Sequence, residues 1–167
     1  MVAAHDALAR FLRSTEAFLA LAENIQGDTW SVRPVGEEWS PAETVEHVVL
    51  TNRATLARLR DRAGAVPVED TAHFPDARIV EAMFHGVPAP PGAAAPGGRF
   101  ATRADGVAAL VAVRDGIAEA VRAGGDRLRE VAFAHPVFGM FDGVQWVLFV
   151  GAHTDNHIPQ LRRLCDA

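Results

Sequence analysis

Lysine is absent from this chain: all 16 basic residues among its 167 are arginine. That absence removes Schiff-base chemistry at a lysine and the phosphate-cradling lysine of P-loops. Cysteine is nearly absent. The single Cys165 can form no internal disulfide, so the fold is expected to be independent of redox compartment and the thiol reads as a bystander. Long apolar runs are also missing. The longest, Trp146 to Ala152, falls far short of the ~20 residues that cross a bilayer and reads as buried helix. The first residues lack a basic stretch followed by an apolar core and a small-residue cleavage site, so a cytoplasmic location is expected. A positive balance is missing too. With 21 acidic residues, a net charge of −5 and a sequence pI near 5.8, the chain lacks the clustered cations on which nucleic-acid affinity rests. The expected partner is a small molecule, not nucleic acid or a membrane.

What is present is an ordinary globular composition, 49% hydrophobic and 22% charged, in a length that suits one domain over 1–167. Leu8, Phe11, Leu12, Phe18, Leu19, Ala22 and Ile25 recur at three- and four-residue steps, which predicts a first helix from about Ala4 to Ile25, ended by Gly27 and Asp28. Ser40-Pro41-Ala42-Glu43 is a capping box with proline at the first helical position, so a second helix starts at Pro41, with a stripe of Val45, Val49, Leu56 and Leu59. From Ala63 to Thr102 six prolines and several glycines argue against regular structure, except around Asp76 to Phe84. Thr102 and Asp105 signal the cap of a third helix running to about Ala123. Asp142 and Gln145 cap a fourth, whose face carries Trp146, Phe149, Val150, Leu161 and Leu164, and which Pro159 should kink. No alternating strand pattern is visible. The class expected is all-α, a four-helix bundle in which the long connector lets helices 2 and 3 avoid being antiparallel neighbours and leaves it free to cover a pocket mouth.

At 100° per residue, His153 and His157 share one helical sector with Trp146, Val150 and Leu164, while Asp155 and Arg162 fall on the opposite, solvent side. A single inward histidine is usually a hydrogen-bonded core residue. Two, one turn apart in an apolar wall, both need partners, and a divalent cation satisfies both. The spacing is that of a zinc-protease helix, but Thr154 stands where the general-base glutamate belongs. A third ligand is needed. His47 in the second helix is the candidate, although it lies off the stripe of Val45, Val49 and Leu56, and its position alone leaves the matter undecided. Two more polar residues fall on inner faces: Asn52 in the second helix and Arg114 in the third. Arg114 reads either as an ion pair or as a clamp for a substrate carboxylate. With Trp146 they are the substrate-binding candidates. His5, His73, His85 and His135 have no partner spacing and read as surface or loop residues. Gly92 to Gly98 reads as flexible loop.

Trp39-Ser40-Pro41-Ala42-Glu43 and His47, followed far downstream by His135-Pro136-Val137-Phe138-Gly139 and by Trp146 to His153, His157 and Gln160, resembles the DinB/YfiT-like superfamily over the whole chain. The resemblance implies a four-helix bundle of up-down-down-up topology with a long crossover between helices 2 and 3. It also implies a divalent metal held by three histidines, whose positions match His47, His153 and His157. Pro159 departs from the family, where glycine often precedes the glutamine. Many members look like thiol-dependent transferases or metal hydrolases, and many look like homodimers.

Three neutral imidazoles leave an open fourth position on a divalent ion, zinc or nickel in the first place, and such an ion acidifies a water or a thiol. The expected function is a metal-dependent transferase conjugating or isomerising a small electrophile with a low-molecular-weight thiol. A metal-dependent hydrolase and a non-catalytic binder of metal or small ligand are the alternatives. Metal affinity is expected to fall as pH drops through about 6.5, where free imidazoles protonate. A two-fold homodimer is expected through the first helix, where His5, Phe11 and Phe18 edge the apolar stripe.

Overall fold

The computed structural model describes residues 1–62, 64–70, 74–84 and 94–165. Local signals set the helix starts. Ser40 Oγ accepts the Glu43 N–H at 3.3 Å and the Glu43 carboxylate accepts the Ser40 N–H at 2.7 Å, a reciprocal cap that begins α2, Pro41–Asp61. Thr102 Oγ1 accepts the Asp105 N–H at 3.2 Å at the head of α4, Arg103–Gly124. Asp142 Oδ1 takes the Gln145 N–H at 2.8 Å, and Gln145 Oε1 takes the Asp142 N–H at 3.1 Å, which opens α5, Gly143–Cys165. That helix carries Pro159 through to its end. α1, Ala4–Asn24, has no cap from its N-cap residue; its apolar face directs it inward and Asp126 Oδ1 takes the Ala4 N–H at 2.8 Å. Asp76–Phe84 does form a short helix, α3.

The long helices enclose one core. α1 packs on α5 and α4, α2 packs on α4 and α5, and α3 lies on α5. Close approach is achieved at glycines: a Cβ at Gly106 would stand 2.7 Å from the Trp30 ring, and one at Gly151 would stand 3.3 Å from the Phe11 Cα. Phe11 and Phe18 are fully buried in this core, so of the three residues expected at a dimer edge only His5 is exposed.

A three-stranded antiparallel sheet, in the order β1 (Val66–Pro67), β2 (Val131–His135), β3 (Gly139–Asp142), corrects the expectation of no strands. Its segments are five residues or shorter, too brief for an alternating pattern, and the β2–β3 turn closes at Gly139 with φ +85°. Arg129, just before β2, ties the sheet to the helices by donating to Asp76 at 2.8 Å and Asp142 at 2.6 Å, while Gln145 Nε2 donates to Asp76 at 2.9 Å. These carboxylates are buried and bridged by one guanidinium, so the heads of α3 and α5 are fixed to each other. Of the long connector, residues 63, 71–73 and 85–93, with His73, His85 and the first glycine of the Gly92–Gly98 stretch, lie outside the described residues.

Candidate metal centre

His47 on α2 and His153 and His157 on α5 meet at the α2–α5 interface. The His153 Nε2 lies 3.0 Å from His47 Nε2 and 3.3 Å from His157 Nε2. Nitrogens bound tetrahedrally at 2.0–2.1 Å from a common ion lie about 3.3 Å apart, so the spacing already fits such an ion. The outer nitrogens fit as well. The Ala94 carbonyl lies 2.9 Å from His47 Nδ1 and, being only an acceptor, requires the proton there. Gln160 Oε1 accepts from His157 Nδ1 at 2.8 Å, with the amide oriented to suit. Both rings therefore turn an Nε2 lone pair inward, the arrangement that second-sphere acceptors impose on metal-binding histidines. His153 Nδ1 is buried without a partner among the described residues.

Burial keeps the three neutral. It is the first cause that lowers the pKa of each. Proximity of His157, His47 and His135 lowers His153 further, and His157 falls to about 4 despite its bond to Gln160. Neutral imidazole is the ligand form. Among the described residues, these are the one group of three or more histidine, cysteine and carboxylate side chains gathered closely enough to hold a metal ion. Trp39, on the turn before the Ser40 cap, lies 4.7 Å from the His47 ring and 6.3 Å from His157, and walls one side of the cluster. Its neighbour Ser40 is a legible cap, but nothing local marks the indole as a wall of this site.

The remaining sequence candidates are placed differently. Trp146 is buried beside His135, 5.0 Å between rings, and beside Phe149, which in turn lies 5.7 Å from His153. The Arg58 guanidinium covers its face at 4.2 Å from the ring centre, a cation–π contact. Trp146 Nε1 finds no acceptor among the described residues. Asn52 is fully buried, and neither its amide nitrogen nor its oxygen has a partner among the described residues. Arg114 is half-buried and pairs with the adjacent Asp115 at 2.8 Å. Gly116, two residues on, abuts Leu56, which sets Arg114 well along α2 from His47 and favours the ion-pair reading over the clamp.

Two expectations are corrected. His135 is neither surface nor loop: it is 8% exposed, sits in β2 among Phe138, Phe141, Trp146 and Phe149, and its Nδ1 accepts the Val137 and Phe138 N–H groups at 3.2 Å each. Asp155 is not on an open face, because Arg10 of α1 pairs with it at 2.7 Å in a half-buried bridge. A cavity of about 590 Å³ opens elsewhere, between the ends of α2 and α4 and the head of α5. It is lined by Arg58, Arg60, Arg62 and Arg127 with Glu119 and Glu130, and by none of the three histidines.

A family model described as the DinB superfamily matches residues 10–161. The uncharacterized protein YuaE of Bacillus subtilis (strain 168) is 24% identical over 132 residues, which cover 79% of this chain and 80% of that protein. No solved structure matches.

Proposed function

The chain belongs to the DinB superfamily, and from that premise we propose that His47, His153 and His157 hold a divalent ion, zinc or nickel, in an enzyme that joins a small electrophile to a low-molecular-weight thiol. The observation that carries the reading is the convergence of three Nε2 atoms whose rings, at His47 and His157, are turned inward by acceptors at Nδ1. What the ion supplies is Lewis acidity, which makes a thiol or water nucleophilic at neutral pH. The protein's part is to keep the imidazoles unprotonated and to shield one side with Trp39.

Thiol transfer is favoured over hydrolysis by one feature. Among the described residues no carboxylate bonds to any of the three rings: Glu46, the nearest in sequence, is committed to Gly97 and Arg99, and Asp155 to Arg10. Activating water calls for a base to take its proton, whereas a thiol is acidic enough to need less help. Trp146 and Asn52 enter this reading as substrate contacts, with their unpartnered polar atoms as support, whereas Arg114, paired with Asp115, enters it as an ion pair.

The architecture we read is a four-helix bundle in up-down-down-up order. Support comes from paired contacts. Phe11 abuts Gly151 while Leu21 meets Cys165, so α1 and α5 run together; Val45 abuts Gly106 while Leu56 abuts Gly116, so α2 and α4 do too. A cytoplasmic location and a two-fold homodimer complete the proposal. No described helix is long and apolar enough to cross a membrane, and a dimer has to use surface other than the buried Phe11 and Phe18. Metal analysis of untagged protein, followed by a thiol-conjugation screen with and without chelator, tests the function. Absence of metal, or of chelator-sensitive conjugation, rejects it.

A further inference from the structure

Glu46 immediately precedes His47 on α2 yet is 1% exposed, which is an unusual place for a carboxylate. Its two oxygens are used by residues 97–99. Oε1 accepts the Gly97 N–H at 2.7 Å, Oε2 accepts the Arg99 N–H at 2.9 Å, and the Arg99 guanidinium completes the clamp. Burial alone would raise this carboxyl, but the two amides and the guanidinium hold it below its usual range. Three residues earlier in the same strap is Ala94, whose carbonyl receives the His47 Nδ1 proton. Ala94 stands at φ +50°, a left-handed conformation that a residue with a Cβ adopts only when its surroundings impose it.

Those observations form one chain of cause. The backbone of a connector that crosses from α2 to α4 has no reason of its own to place a strained carbonyl on a histidine ring. Two amides bound to a buried carboxylate one residue away from that histidine provide the reason. We propose that Glu46 is a positioning residue for the three-histidine cluster: by clamping residues 97–99 to α2 it holds the Ala94 carbonyl on His47 Nδ1, and so fixes the tautomer that turns Nε2 inward. The inference rests on the metal-site reading for its purpose, but the positioning itself concerns the protein alone. Second-sphere partners of this kind are worth about ten- to a hundred-fold in metal affinity.

The test uses the full chain in two measurements: zinc affinity by competition with a chromophoric chelator, and long-range nitrogen–proton correlation spectra of the histidine rings in zinc-free protein. In the native protein His47 shows a single Nδ1–H tautomer. E46Q places an amide NH₂ against backbone N–H donors, so it releases the strap, mixes the His47 tautomers and weakens zinc about ten- to a hundred-fold. A94P cannot adopt φ +50° and does the same with Glu46 intact, which keeps the question answerable should E46Q fail to fold. A94G retains the carbonyl in a conformation glycine accepts, and leaves tautomer and affinity as they are. An unchanged His47 tautomer in E46Q, or in A94P if E46Q does not fold, overturns the proposal. Native protein that binds no zinc rejects the metal reading instead, and the tautomer spectra then still decide the role of Glu46.

Discussion

The Nε2 atoms of His47 and His153 stand 3.0 Å apart across the α2–α5 interface, from positions 106 residues apart in sequence, and no His47 proton lies between them because that proton is held at Nδ1 by Ala94. Left to themselves, the rings can satisfy this contact only if His153 donates from Nε2, which leaves its buried Nδ1 as an unanswered acceptor. A cation among the three lone pairs removes the conflict at Nε2. The expected consequence is that His153→Ala lowers metal affinity by about 100-fold or more, while His5→Ala, whose ring is exposed, leaves it unchanged. Isothermal titration of metal into untagged protein reads both, and equal affinities for the two variants would contradict the site.

Burial moves the pH at which protons compete with metal. The sequence alone points to about 6.5, but the folded environment lowers all three histidines and takes His157 to about 4. Zinc affinity should therefore begin to fall only below pH 6.5, with His157 taking up its proton near pH 4. Half-release already at pH 6.5 would show that the rings are wetter than this structure has them.

His135 links pH to stability in the zinc-free protein. Burial and the Arg58 charge lower its pKa to about 4, so the unfolded chain binds this proton more readily than the folded one between pH 6.5 and 4. Stability is full above 6.5 and declines as pH falls through that window, by about 2 kcal/mol at pH 5 from this residue alone. His135→Asn keeps an acceptor for the turn amides and removes the titration. Urea denaturation at pH 7 and pH 5 should give a smaller difference for this variant than for the native chain.

Gly106 admits Trp30. The indole is buried, donates from Nε1 to the Phe100 carbonyl at 3.0 Å, and leaves no room for a Cβ on α4. Gly106→Ala should cost about 1–3 kcal/mol, although alanine is the better helix former, because a rigid ring must shift. A melting temperature at or above the native value would mean that the ring yields.

The helices were legible because their causes are local. Caps three residues long at Ser40, Thr102 and Asp142, and apolar steps along α1, are all written within one or two turns. His47 was ambiguous on a helical wheel for a physical reason: α2 packs on both α4 and α5, so Val45 through Val49 are all buried and no single stripe marks the inside. His135 was misread because its partners are backbone amides and rings brought together by a strand pair, with no characteristic spacing. The support of the site was the least legible. A carbonyl at Ala94 is present at every residue of any sequence, and only tertiary structure selects it.

The pairing of the first helix with the last has a kinetic side. Arg10 and Asp155 are 145 residues apart, and Leu21 and Cys165 are 144 apart, yet α1 and α5 form an extensive side-by-side contact. Helical proteins usually fold fast because their contacts are short-range, and the rate falls as the mean sequence separation of contacts rises. Here a large loop must close before α1 and α5 can bury the faces they share. The chain should therefore refold more slowly than its helix content alone suggests, with the assembly of the three histidines waiting on the docking of α5.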